Sequence, residues 1–353
     1  MSSLEKYIEE VKENTENFSD IEKLRYVYLD LGKRFSFNLD FSFGNSETKK
    51  KIYNKSHKSN ELEQSMENNT IICKTSSTIY EYIMKKLNWG MLGTGWIAHE
   101  MGEALKRVNG EIYACCATSM ESAEKYAEEF DVKNAYGSAD EMFDDENIDI
   151  VYIATPHNSH YEFLMKALQS GKHVFCEKAI TVNDTQLEEA VKLAKKKNLV
   201  ICDGMTLYHM PVFKKMKEIV DSGKLGPVKM IQVNFGSCKE YDVTNRFFSK
   251  ELAGGALLDI GVYATSFSRF FMKSKPNSIL TTANYFETGV DETSGIILRN
   301  PDGQMAVMAL TMRAKQPKRG VVACEDGFIE IYNYPRGDKA TIVYTNDGHT
   351  ETI

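Results

Sequence analysis

The chain has no run approaching the roughly 18 to 20 consecutive apolar residues that a membrane-crossing helix needs, so no membrane partner is expected. Its N-terminus, Met1-Ser2-Ser3-Leu4-Glu5-Lys6-Tyr7-Ile8-Glu9-Glu10, lacks the apolar stretch and small-residue cleavage site of a secretion signal. None of the seven cysteines stands in a C-x-x-C pair, and Cys115, Cys116, Cys176 and Cys202 lie inside apolar, strand-like runs. That pattern reads as buried, reduced thiols and a cytoplasmic location. A strong charge bias is missing too: the net charge is -7, and Lys49-Lys50-Lys51 and Lys195-Lys196-Lys197 have no interleaved aromatics. These runs read as solvated helix faces, and no nucleic-acid partner is expected. Neither His157 nor His160 has acidic or cysteine partners at metal-ligand spacing, so no metal is expected.

What is present is a globular composition, 42% hydrophobic and 26% charged, over 353 residues. That length implies two domains with an appendage. Residues 88–203 alternate short apolar runs with amphipathic stretches, in the order of a parallel sheet. Strands are expected at Trp89–Leu92, Ile112–Ala117, Ile150–Ala154, His173–Cys176 and Leu199–Cys202. A helix is expected over Asp184–Lys197, with Leu187, Ala190, Val191 and Ala194 on one face. From Val228 the texture becomes β-rich, with runs at Lys229–Phe235, Ile279–Phe286, Ser294–Leu298 and Met305–Met312. Turn signals fall at Pro301-Asp302-Gly303 and Asn346-Asp347-Gly348. One helix, Ala256–Met272, interrupts those strands. The expected fold is α/β: a doubly wound parallel Rossmann sheet over 84–208, then a 209–353 α+β domain with a large, mostly antiparallel open sheet. Residues 1–83 form an extension of unassigned role. Within it, the surroundings of Cys73 bear a faint likeness to the nucleophile helix of transglutaminase-like hydrolases, without the downstream His and acid such chemistry requires.

Gly93-Thr94-Gly95-Trp96-Ile97-Ala98 follows the first strand and opens a helix, the context a dinucleotide-binding turn needs. Gly93 permits the tight turn, Gly95 lets a pyrophosphate approach the backbone, and Ala98 allows close helix-strand packing. An NAD-selective site places an acid at the end of the second strand, but here that end is Ala117-Thr118-Ser119. With two hydroxyls and no carboxylate, NADP(H) is expected in preference to NAD(H); the same two residues also suit plain helix capping. After the fourth strand, Thr155 and Pro156 would border the nicotinamide ribose, and Asn158 or Ser159 would cap the next helix. Lys178, in Cys176-Glu177-Lys178-Ala179, lies at a strand's carboxyl end, where open α/β sheets bind their ligands.

With Gly93–Ala98, Ala154-Thr155-Pro156, Cys176-Glu177-Lys178 and Gly254-Gly255-Ala256-Leu257-Leu258-Asp259-Ile260-Gly261-Val262-Tyr263 in view, residues 84–353 resemble the Gfo/Idh/MocA family (glucose-fructose oxidoreductase and inositol dehydrogenase). The Asp-x-x-x-Tyr spacing is similar to the dihydrodiol dehydrogenase branch. The resemblance implies an NAD(P)-dependent oxidoreductase passing a hydride between a nicotinamide cofactor and a secondary alcohol or carbonyl of a sugar, polyol or cyclic diol. It implies cofactor contacts at Gly93, Thr94, Gly95, Trp96, Ile97, Thr118, Ser119, Thr155, Pro156, Asn158, His160, Glu177 and Lys178. It implies that Lys178 polarises the reacting C–O group, that Tyr263 exchanges the proton, and that Asp259 holds substrate hydroxyls. It also implies a homo-oligomer, dimer or tetramer, paired through the open sheet faces. Independently, Asp259 and Tyr263 are four apart at a helix start and so share a face. A tyrosine, with an ordinary pKa of about 10, is expected to need a neighbouring ammonium such as Lys178 to exchange protons near neutrality. His209 and Arg246, in connections between the domains, are expected substrate contacts. Two departures stand out: Ala179 replaces the family's proline, and the chain stops several dozen residues before such enzymes usually end. They keep open a second reading, a dinucleotide-binding sensor without turnover.

Overall fold

The structure, a computed structural model, describes residues 87–353 apart from Asn109. The extension and the Cys73 segment lie outside the described residues. Six parallel strands, β1 (Trp89–Leu92), β2 (Ile112–Cys116), β3 (Asn134–Tyr136), β4 (Ile150–Ile153), β5 (His173–Cys176) and β6 (Ile201–Asp203), form one sheet in the order β3-β2-β1-β4-β5-β6. The crossovers contain helices α1 (Trp96–Arg107), α2 (Met120–Phe130), α3 (Ala139–Asp144), α4 (His157–Gln169) and α5 (Asp184–Lys197).

Adjacent residues of a strand point to opposite faces, and both faces here are apolar. Leu92, Cys116 and Ile153 pack with Met142, Leu164, Leu168 and Ala190, beneath α3, α4 and α5. Their strand neighbours Met91, Cys115 and Tyr152 pack with Ala98, Leu105, Tyr126 and Phe130, beneath α1 and α2. The result is the doubly wound arrangement. Asn183 caps α5, its side-chain oxygen accepting from the Gln186 N–H at 2.9 Å, and Asn198 closes that helix in the left-handed region.

After a 3-10 turn (Thr206–Tyr208) and α6 (Pro211–Asp221), eight strands form a second sheet. They are β7 (Val228–Gly236), β8 (Ser278–Tyr285), β9 (Asp291–Arg299), β10 (Met305–Thr311), β11 (Arg319–Cys324), β12 (Gly327–Tyr332), β13 (Ala340–Tyr344) and β14 (Thr350–Thr352), in the order β14-β13-β12-β11-β7-β10-β9-β8. β7 and β10 run parallel, and the other neighbours pair antiparallel. One face, with Ile231, Val233, Met308, Leu310 and Val322, is covered by Phe213 and Met216 of α6 and by Phe267 and Phe271 of the helix before β8. Burying each such side chain contributes about 1.5–3 kcal/mol. The other face stays open towards β8, where Leu280 is 65% exposed beside its cross-strand partner Ile297 at 37%.

The expected turns appear as hairpin corners, Gly303 and Gly348 both taking positive φ. Three details differ from the sequence expectation. The helix over Ala256–Met272 is not uniform: Leu257–Gly261 is a π turn, followed by α7 (Val262–Phe271). Cys202 is exposed rather than buried, because β6 is an edge strand and the residue faces outward. The last parallel strand runs Ile201–Asp203, with Leu199 instead donating its backbone N–H to Ala194 at 2.9 Å as part of the α5 cap.

Candidate active site

The Gly93 turn sits where the strand order reverses, between β1 and β4. Gly93 has φ +97°, and a Cβ there would lie 2.8 Å from the Ala154 carbonyl oxygen, so both conformation and space demand glycine. Its N–H donates to the Cys116 carbonyl at 2.8 Å. Gly95 is the N-cap of α1 and has no side-chain cap, and a Cβ placed on it would meet nothing within 4 Å. The first-turn N–H groups of α1 thus face an open crevice with no acid in that turn. Thr94 and Ile97 border this opening half-buried, and Trp96 is exposed. Ala98 is fully buried, the Tyr126 hydroxyl donating to its carbonyl at 2.9 Å. An uncapped helix end, an open backbone approach and a switch-point position suit a dinucleotide pyrophosphate.

Two residues past β5, the Lys178 ammonium donates to the Asp259 carbonyl at 2.7 Å and to its carboxylate at 3.3 Å. Both side chains are largely buried, at 15% and 9% exposure. Arg246 Nη1 stands 3.6 Å from the same carboxylate. The ammonium also lies 4.9 Å from the Tyr263 ring centroid. Lys178, Asp259, Tyr263 and Arg246 therefore meet. The glycines that open the π turn make this approach feasible: Gly255 has φ +102°, and a Cβ there would strike the Asp291 carboxylate at 2.3 Å. That carboxylate accepts from the Leu257 N–H at 2.9 Å and so caps the helix bearing Asp259 and Tyr263.

The electrostatics of Tyr263 differ from expectation. Burial, with the Glu177 and Asp259 charges adding to it, pushes its hydroxyl well above the ordinary tyrosine range, while the Lys178 ammonium pairs with Asp259. The Tyr263 hydroxyl thus stays protonated at neutral pH. Burial also raises Glu177, against hydrogen bonds from the Tyr152 hydroxyl at 2.6 Å and the Lys178 N–H at 3.2 Å.

Other expected site residues fall into place differently. Pro156 is the N-cap of α4 and neither Asn158 nor Ser159 caps it; the Ser159 hydroxyl instead lies 2.8 Å from both Thr155 Oγ1 and the Pro156 carbonyl. Asn158 is exposed and lines a neighbouring cleft of about 560 Å³ with Ala253, Leu257 and Asp291. His160 is fully buried, its ring nitrogens 2.7 Å from the Ala179 carbonyl and 2.8 Å from that of Thr155, which makes it a support for the loop rather than a lining group. Ser119 caps α2, accepting from the Ser122 N–H at 3.3 Å, and Thr118 beside it is exposed. His209 is exposed beyond the 3-10 turn, outside the contacts that join Lys178, Asp259 and Arg246. The Lys178–Ala179 peptide is cis.

Residues 87–204 match the family model described as an oxidoreductase family with an NAD-binding Rossmann fold, and 213–330 match the GFO/IDH/MocA C-terminal domain. The trans-1,2-dihydrobenzene-1,2-diol dehydrogenase of Xenopus laevis is 33% identical over 259 residues, covering 72% of this chain and 78% of that one. The chain belongs to the GFO/IDH/MocA oxidoreductase family. A D-xylose 1-dehydrogenase (NADP(+)) of Hypocrea jecorina is 30% identical over 305 residues, or 76% of this chain and 77% of that one. Among solved structures, a 3-ketoreductase from Actinomadura kijaniata in complex with NADP and TDP-benzene shares the fold with TM-score 0.70 at 21% identity, over 76% of this chain and 84% of that one. A levoglucosan dehydrogenase complexed with NADH and levoglucosan does so with TM-score 0.69 at 21% identity, over 76% and 80%. The non-catalytic sensor reading finds no support in these comparisons.

Several supports of this GFO/IDH/MocA site were not read from sequence. His157 is buried with Nε2 3.0 Å from the Lys178 carbonyl and Nδ1 3.2 Å from that of Ala253, so it ties the lysine loop to the segment before Gly254. Burial holds its pKa down to about 4, so the neutral ring donates to one of the two carbonyls. Tyr152 carried a usable signal, a hydroxyl inside the otherwise aliphatic Ile150–Ile153 run. Asp291 and Arg336 carried none, since their partners lie far away in sequence. Among the described residues, no group of three or more His, Cys, Asp or Glu is arranged to hold a metal ion, and no helix is long and apolar enough to cross a membrane.

Proposed function

We propose that the protein reduces a carbonyl, and oxidises the corresponding secondary alcohol, of a sugar, polyol or cyclic diol. The observation that carries this is the buried Lys178 ammonium, fixed by Asp259 and lying over Tyr263, at the same end of the parallel sheet as the dinucleotide turn. The nicotinamide, when bound, supplies or accepts the hydride. Gly93, Thr94, Gly95, Trp96 and Ile97 would hold its pyrophosphate, with Thr155, Pro156 and Glu177 bordering the nicotinamide end. Lys178 orients and polarises the C–O oxygen, and Tyr263 donates its proton to that oxygen during reduction. Asp259 and Arg246 bind neighbouring hydroxyls, a carboxylate accepting and a guanidinium donating. In a screen of sugars and diols, turnover with wild type and none with Lys178→Met supports this assignment; equal turnover in both overturns it.

We also infer a preference for NADP. β2 ends without a carboxylate that would repel a 2′-phosphate, and Thr118 presents an exposed hydroxyl there. The fungal relative is named for NADP(+). Comparing kcat/KM with NADPH and NADH decides it. The open face at Leu280 and Ile297 supports assembly as a homo-oligomer through that sheet, which Leu280→Glu would break in a light-scattering measurement of mass. The free thiols of Cys115, Cys116 and Cys176 are consistent with a reducing cytoplasm.

A further inference from the structure

Arg336, in the connection between β12 and β13, reaches across to α1. Its Nη1 donates to Glu100 Oε1 at 3.0 Å and its Nη2 to Oε2 at 2.6 Å, a bidentate pair between residues 236 apart in sequence. Its guanidinium carbon also lies 5.5 Å from the ring centroid of Trp96, the first residue of α1, whose side chain is 70% exposed. As a brace the pair is weak, because its members are 53% and 36% exposed and such pairs typically contribute about 0–1 kcal/mol. Its location is what matters. Glu100 is one helical turn beyond Trp96 on the same face of α1, and α1 has no acid in its first turn. A bare carboxylate there would oppose an anion at this helix end. The Arg336 charge also acts, in a small way, to lower the pKa values of Tyr263 and Glu177.

We infer that Arg336 is a cofactor-positioning residue supplied by the second sheet: it neutralises Glu100 and, laid on the Trp96 indole, closes the phosphate end of the dinucleotide crevice. The inference rests on the reading of this crevice as a nicotinamide-cofactor site. It assigns a binding role to a residue far from the glycine motif and within none of the four family-like motifs.

The test is a set of NADPH dissociation constants and steady-state rates for the full chain and for Arg336→Ala, Glu100→Gln and the double variant. Arg336→Ala should weaken binding about tenfold, which is about 1.4 kcal/mol, while kcat at saturating cofactor changes less than about threefold. Because the loss comes from the uncompensated Glu100 charge, the double variant should recover at least half of it on a logarithmic scale, and added salt should shrink it. Glu100→Gln alone should bind at least as tightly as wild type. Wild-type affinity in Arg336→Ala, or a double variant as weak as the single one, would overturn the inference. If Arg336→Ala does not fold, Arg336→Gln is read against Glu100→Gln in the same way. A wild-type chain that binds neither NADPH nor NADH would instead sink the cofactor reading itself.

Discussion

Replacing Lys178 by Met removes one partner of a buried ion pair and the donor to a buried carbonyl while roughly preserving volume. At 3.3 Å the Lys178–Asp259 attraction is about 5 kcal/mol for an effective dielectric of about 20. Losing one member of a buried pair typically costs about 3–5 kcal/mol, since the other charge is left without compensation. Arg246 remains 3.6 Å from the carboxylate, though 43% exposed and therefore screened, so a net loss of about 2–3 kcal/mol is expected. Urea unfolding measures that loss. The catalytic effect should be larger, because the ammonium is the cation placed to stabilise charge on the reacting oxygen: a fall in kcat of about 10²–10⁴. Affinity for reduced cofactor should stay within about threefold, since the glycine turn is untouched. Lys178→Arg, which keeps the charge with a different fork, should recover stability more than turnover. A variant that lost stability but kept kcat within tenfold would show Lys178 to be a structural ion, and the proposed chemistry would have to move elsewhere.

Gly93→Ala, forced to φ +97° with its Cβ 2.8 Å from the Ala154 carbonyl, should destabilise the fold by about 2 kcal/mol and abolish cofactor binding, measured by thermal melting and titration. The raised Tyr263 pKa means that the proton donor stays loaded through alkaline pH. Reductive kcat/KM should then show no loss up to about pH 10, where an ordinary tyrosine would be half ionised, and Tyr263→Phe should lower kcat by about 10²–10⁴. His157 is held neutral by burial, its pKa lowered from 6.5 to about 4. Between those values the unfolded chain binds the extra proton, so stability falls as pH drops through that window, by about 2 kcal/mol from about pH 7 to about pH 5. His160 shifts in the same direction and adds to the slope; His157→Asn should flatten it in urea midpoints measured at the two pH values. His160→Ala should cost about 2–4 kcal/mol through the cavity and the one carbonyl, of Ala179 or Thr155, that loses the neutral ring's N–H.

Features governed by local periodicity were legible in the sequence. The apolar runs of β1 and β5, the α5 span, the glycine turn and the hairpin corners at Gly303 and Gly348 depend on residues near one another in the chain. Lys178 was identifiable because its own strand delivers it to a predictable sheet end. Short or two-sided features were not: β3 offers three half-buried residues with no alternation, and the π turn at Leu257–Gly261 is capped by Asp291, far away in sequence. Sequence spacing placed Asp259 and Tyr263 together but misjudged the electrostatics. Proximity of Lys178 to Tyr263 suggested an acidified phenol, whereas the ammonium is directed to Asp259 and burial prevails. The clamps made by His157 and Arg336 join distant segments and leave no trace in any window of sequence.

The most direct test of the account is a titration of the full chain with NADPH and, separately, NADH, following energy transfer from Trp89 and Trp96 to the reduced nicotinamide. Saturable binding of at least one cofactor, tighter for NADPH and lost in Gly93→Ala, is the predicted result. Absence of saturation with both cofactors, or binding that survives Gly93→Ala unchanged, would contradict it.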